Sequence, residues 1–170
     1  MANQNYTKIS DLVTGTEGSA YITVDGQNRY FFELSKIDAN IEFTVLARRL
    51  LGHRMKQHKV TAAEGKGSMT IYNVSPATLA IYQEYIKNGT TPAISIQTTN
   101  EDTGSTIGRR TVVMRNVILA KVPVAYLDDS SEELNTTDID FTFDDVDDLE
   151  SYVLPENLRL RKRGITVCHH

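Results

Sequence analysis

The sequence contains one cysteine, Cys168, so no intrachain disulfide can form. That usage fits a protein made in a reducing cytoplasm. No run of about 18 apolar residues occurs, so no helix is expected to span a membrane, and no membrane partner is expected. The first residues, MANQNYTKISDLVTG, lack the basic start and apolar stretch of a secretory signal. A surplus of positive charge is also missing. The formal net charge of −4 argues against a general nucleic-acid binder. No serine or cysteine nucleophile sits in a recognisable motif, so no enzyme is expected. At 170 residues the chain is long enough for one domain with a real core.

What is present is mostly β pattern, with one change of period. In GSMTIYNVSPATLAIYQEYIKNGTTP, Gly67 to Pro92, Met69 and Ile71 alternate with Thr70 and Tyr72. Ser75-Pro76 then supplies a helix cap and a proline suited to the first turn. Leu79, Tyr82 and Ile86 follow at helical spacing and predict an inward face. Lys87 and Asn88-Gly89 close the helix, which is expected over 75–88 as the only one.

Residues 1–16 are polar and weakly patterned, an expected arm. Asp25-Gly26 between Ser19–Val24 and Arg29–Leu34 signals a hairpin. From Lys36 to Val45 the alternation is unbroken. Ile37, Ala39, Ile41, Phe43 and Val45 take one face, and Asp38, Asn40, Glu42 and Thr44 the other. Leu46–Lys66 shows no clear period and carries Arg48, Arg49, Arg54, Lys56, Lys59 and Lys66 against one acid, Glu64. It reads as a long loop. Ala93–Thr98 is a short strand, and Thr99–Gly108 is turn-rich. Arg109–Val124 changes phase near Arg115-Asn116, which predicts a bulge. Val122–Leu158 holds twelve Asp and Glu and no Lys or Arg. Within it, Ile139, Phe141 and Phe143 alternate with acids, as in a strand with an acidic outer face.

Metal and phosphate motifs fail on inspection. No window of Asp138–Asp148 has the glycine that an EF-hand calcium loop needs. Glu64-Gly65-Lys66-Gly67-Ser68 lacks the spacing of a phosphate loop, and a strand follows it where a helix is required. His53 and His58 lack the glutamate of a zinc helix. No metal or cofactor is expected. Charge segregation remains. An ordinary solvated surface explains each run alone, but together a basic loop and an acidic strand are complementary patches that could set register between copies.

A G-S-M-T-I-Y strand, a Ser-Pro-capped helix, K-N-G-T-T-P, N-E-D-T-G-S-T-I-G-R-R-T-V and a D-F-T-F-D strand follow in order. This order resembles the tail tube proteins of contractile-tailed bacteriophages, PBSX-type prophages and phage-derived contractile bacteriocins. The resemblance runs from Gly15 to Tyr152 and is motif-like in Gly67–Pro92 and Asn100–Thr111. It implies a mainly β fold with one α-helix, a β-sandwich or barrel-like tail-tube fold; with the pattern above, six to eight strands are expected over 17–152 with a long loop 46–66, and residues 153–170, outside the resemblance, are expected as an extension. It implies a structural subunit that stacks in hexameric rings as a conduit for DNA, without specific DNA binding. Sheath, tape-measure and baseplate proteins would be its partners in a virion tail assembled in the bacterial cytoplasm. A tail-completion, adaptor or baseplate module is the alternative on the same fold. In this reading Asp38, Asn40, Glu42 and Thr44 face the lumen. Arg48, Arg49, Arg54, Lys56 and Lys59 would meet Asp144, Asp145 and Asp147 of an adjacent subunit.

Overall fold

The computed structural model describes residues 9–125, 127 and 134–154. Asp25 and Gly26 adopt φ of 48° and 84° in the turn between β1 (Gly18–Val24) and β2 (Gln27–Tyr30). Positive φ at both turn positions matches the strand twist and suits an Asp-Gly pair. The other strands are β3 (Leu34–Arg48), β4 (Gln57–Tyr72), β5 (Ile94–Glu101), β6 (Arg109–Arg115), β7 (Ile118–Leu119), β8 (Thr136–Phe143) and β9 (Asp145–Glu150). They form two antiparallel sheets, ordered β2-β1-β5-β6-β9 and β3-β4-β8-β7. Nine strands among the described residues exceed the six to eight expected. Arg109–Val124 divides into β6 and β7, and the acid run contributes β9 as well as β8.

That division is a corner. Asn116, at φ 53°, carries the chain from β6 in one sheet to β7 in the other. Asp144 carries it back from β8 to β9. The two crossings meet, with Asp144 N–H donating to Arg115 C=O and Asn116 Nδ2 donating to Asp144 Oδ2. Strands that switch sheets in this way give a sandwich its barrel-like closure. Between the sheets lies the core, in which Ile22, Ile96 and Met114 face Ile71, Ile139 and Phe141.

The expected loop Leu46–Lys66 is a strand hairpin, and only residues 49–56 turn. Its period was hidden by a bulge. Thr44 pairs with Ala62 but Val45 pairs with Val60, leaving Thr61 as an extra residue whose hydroxyl donates to Thr44 C=O. One extra residue inverts the alternation of β4 beyond it, so a period-2 count fails across the bulge. The glycines nearby have a packing role. A Cβ on Gly67 would lie 2.4 Å from the Phe141 ring and 2.6 Å from Asp38 C=O; one on Gly65 would strike Phe143. The two phenylalanine rings therefore lie directly on the bare backbone of β4.

Helix α1 (Ala77–Asn88) starts two residues later than expected; Ser75 Oγ accepts from Ala77 N–H. Gly89, at φ 75°, closes it by donating to Tyr85 C=O. Thr78, Ile81 and Tyr82 turn toward the core, and Tyr82 Oη accepts the N–H of Leu119. Ile86 does not face inward as expected. It is 71% exposed, because only the first half of the helix meets the sandwich and every residue from Gln83 on is exposed.

The expected arm 1–16 is partly tied down; residues 1–8 lie outside the described residues. Asp102 accepts from the N–H and hydroxyl of Thr14, Glu17 accepts from Thr103, and Thr106 donates to Asp11. Amide donors, Thr14 first and Gly104 next, hold the Asp102 carboxyl below the ordinary aspartate range. That tether is complete above about pH 4 and weakens as pH falls through the lowered value. The expected extension 153–170 lies outside the described residues from 155 on.

Two stability measurements check the packing. Gly67→Ala should cost about 1–3 kcal/mol in chemical denaturation, since the backbone carbonyl of Asp38 cannot swing aside. Tyr82→Phe should cost about 1–3 kcal/mol by stranding the Leu119 N–H, while Ile86→Ala should stay within about 0.5 kcal/mol. The reverse order for Tyr82 and Ile86 would contradict the helix placement.

Candidate functional site

The β3–β4 hairpin runs past the rest of the molecule and carries two unlike faces. Register puts Ile37 with Met69, Ala39 with Gly67, Ile41 with Gly65, Phe43 with Ala63 and Val45 with Val60 on one of them. At its base this face is core: Met69 is buried and Ile37 packs on the core. Further out, nothing among the described residues covers it. Ile41, Phe43, Val45 and Val60 are 43%, 62%, 52% and 55% exposed. Ile41 and Phe43 do not lie under α1, which covers the sandwich and not the arm. A sheet face built like a core but left bare marks a surface that another chain covers.

The opposite face collects Asp38, Asn40, Glu42 and Thr44 as expected, all exposed. The sequence reading missed what β4 and β8 add to it. Asp38, Ser68 and Asp140 form one cross-strand row, and Lys36, Thr70 and Asp138 form the next. Glu42 lies directly opposite Glu64, an unfavourable like-charge pair. Lys66 resolves it, with Nζ 3.1 Å from Glu42 and 3.0 Å from Glu64. Hydrogen bonds to Glu64 and then Glu42 raise the lysine above its ordinary range. Only three-strand register could have revealed Asp138 and Asp140 here, and a single strand's pattern does not contain it.

Toward the tip the same face turns basic, with Lys59 beside Leu46 and Arg48 beside Gln57. Arg49, Arg54 and Lys56 follow in the turn, where Arg49 Nε donates to His53 C=O. Leu51 and Met55 stand among them in solvent. The expected acidic counterparts lie elsewhere. Asp144 sits at the sheet corner, and Asp145 and Asp147 sit on β9 in the other sheet. Asp147 is already bound to Arg115 at 2.7 Å, in a row with Arg109–Glu150 and Arg110–Asp148. Glu150 is accordingly held below its ordinary range, first by the Arg109 hydrogen bond. Among the described residues no group of three or more His, Cys, Asp or Glu is placed to hold a metal.

Lys66→Gln should lower the melting temperature at pH 7 by leaving Glu42 and Glu64 facing each other. The deficit should shrink in high salt, which screens the repulsion between the two glutamates. The lysine's own contribution persists through neutral pH and fades only as pH rises through its raised value. An equal deficit at low and high salt would show that the charge is not the cause.

Residues 5–150 match the family described as phage tail tube protein. Two proteins of Bacillus subtilis strain 168 are each 30% identical to the chain. YqbM aligns over 152 residues, 89% of this chain and 96% of that protein. The phage-like element PBSX protein XkdM aligns over 140 residues, 82% and 92%. The fold is similar to that of a chain in the tube-terminating cap of the anti-feeding prophage (TM-score 0.61, 14% identity, 89% of this chain and 100% of that one). It is also similar to a chain in the sheath-tube complex of an extracellular contractile injection system (TM-score 0.56, 11% identity, 79% and 88%).

Proposed function

Because the chain belongs to the phage tail tube protein family, a family of structural proteins rather than enzymes, we propose that it forms hexameric rings stacked as the inner tube of a contractile tail. The observation that carries this reading is the bare apolar face of the β3–β4 hairpin. Ile41, Phe43, Val45 and Val60 continue the core outward with nothing among the described residues above them. Fully burying an aliphatic or aromatic side chain contributes about 1.5–3 kcal/mol, and these four are 43–62% exposed. Together they outweigh exposed ion pairs of about 0–1 kcal/mol each. A neighbouring copy in the ring is the cover that such a face requires.

The sheet edges support the same reading. Among the described residues the β3 edge of the four-stranded sheet is unpaired, and the opposite edge is formed by the two-residue β7. Joining the edges of adjacent copies closes the sheets into one barrel and removes an aggregation-prone edge. The face bearing Asp38, Asn40, Glu42, Thr44, Asp138 and Asp140 then lines the lumen, where its acids repel phosphate and let DNA pass without being held. Sheath, tape-measure and baseplate proteins are the partners of such a tube, in a virion tail assembled in the host cytoplasm.

The alternative reading is a terminator, favoured by the likeness to a chain of a tube-terminating cap. It stops at one ring where a tube subunit polymerises. Electron microscopy of the purified protein should therefore show long tubes, and isolated rings alone would move the assignment to a completion protein. Phe43→Asp should abolish rings while leaving the thermal melt of the monomer nearly unchanged, since the residue touches no core. Normal rings from this variant would remove the support that the hairpin face gives.

A further inference from the structure

Two apolar surfaces of this chain run past what covers them. One is the arm face described above. The other is on α1, where Leu79, Tyr82 and Ile86 form one helical stripe with Tyr85 beside it. The first half of that stripe serves the body: Leu79 shares a cleft with Pro123 and Val124, and Tyr82 accepts the Leu119 N–H. The last turn has no such seat among the described residues and leaves Tyr85 50% and Ile86 71% exposed.

Strand register shows where that turn stands. Leu119, Phe141, Gly67 and Ala39 form one cross-strand row on the core side of the four-stranded sheet. That is the side on which α1 packs and on which the bare row of the arm continues. From Leu79 to Tyr82 the helix passes from Val124 to Leu119, so Ile86, one turn on, lies toward Ile118 and the next row. In that row Phe143 pairs with Gly65 and Gly65 with Ile41, where the arm leaves the body.

Within one subunit the two surfaces stay apart, because β3 and β7 are opposite edges of the sheet. Three strand spacings separate them, about 14 Å. In the ring proposed above, β3 of one copy lies beside β7 of the next, with its apolar face on the α1 side. The Leu119 N–H is already taken by Tyr82, so at that point side-chain packing rather than a ladder hydrogen bond must hold the arriving strand. We infer that the last turn of α1, through Tyr85 and Ile86, covers the bare arm of a neighbouring copy in the same ring and packs on its Ile41 and Phe43. The helix over these two residues is then the neighbour's. This inference rests on the ring reading and adds to it the surface that receives the arm.

The test is a cross-link in the full-length protein, with Cys168→Ser removing the native thiol. Phe43→Cys combined with Ile86→Cys, treated with a short bis-maleimide after assembly, should give a ladder on a denaturing gel that ends at the hexamer. The two single variants mixed should stop at dimers, and each alone should stay monomeric. Separately, Ile86→Asp should leave the thermal melt of the subunit nearly unchanged, since the residue touches no core. It should raise the subunit concentration needed for rings by about tenfold or more, the loss expected for one buried side chain. Rings that give no ladder would overturn this contact, and so would Ile86→Asp rings that form at the parent's concentration. Both results leave the ring reading standing. A link confined to single subunits would overturn it too, by placing the arm under its own helix. If the parent forms no rings, the ring reading falls, and this contact with it.

Discussion

A sheet face made of large apolar side chains must be covered, and most of this molecule follows from where that cover runs out. Over the body, the five-stranded sheet lies on the four-stranded one and encloses Ile22, Ile96, Ile139 and Phe141. Beyond the corner at Asn116 and Asp144 the covering sheet ends, while β3 and β4 continue. The apolar row does not stop with it. It extends from Met69 and Ile37 through Ile41 and Phe43 to Val45, across a bulge that keeps Val60 on the same side. A monomer that keeps this face in water gives up several side chains' worth of hydrophobic stabilisation, and a second copy recovers it.

Local features near the arm serve the same end. Gly65 and Gly67 let Phe143 and Phe141 lie flat on β4, so the arm leaves the body on a tightly packed base. Lys66 separates two glutamates that would otherwise repel across the hairpin. The β6 arginines bind three β9 acids, Asp147, Asp148 and Glu150, within the chain. The arm itself keeps a bare apolar face, the β3 edge and a basic tip. In the assembly proposed above, apolar burial would supply the strength of association and the weaker charges would set the register.

Much of this was legible in the sequence, and what was not has identifiable causes. The Asp-Gly hairpin, the helix ends at Ser75 and Gly89, the alternating strand Lys36–Val45 and the break at Arg115-Asn116 each rest on local chemistry, which one chain segment contains. The hairpin arm was misread as a loop because Thr61 shifts the phase of β4. Ile86 was misplaced because a helical stripe does not say how far along its length the partner extends. Asp138 and Asp140 were assigned to an outer strand face, since only their pairing with Thr70 and Ser68 brings them beside Asp38. Of the acids expected to meet the basic tip, Asp147 has a partner in its own chain, Arg115, which only the β6–β9 pairing brings beside it.

Hydrogen exchange of the backbone amides over residues 39–48 tests the central claim most directly, compared between dissociated subunits and the assembled particle. If a neighbouring copy covers the face and edge of β3, these amides should exchange readily in the free subunit and become strongly protected on assembly. The core amides around Ile22 and Ile96 should change little. Equal exchange over residues 39–48 in the two states would mean that the bare face stays bare, and the account given for this arm would be wrong.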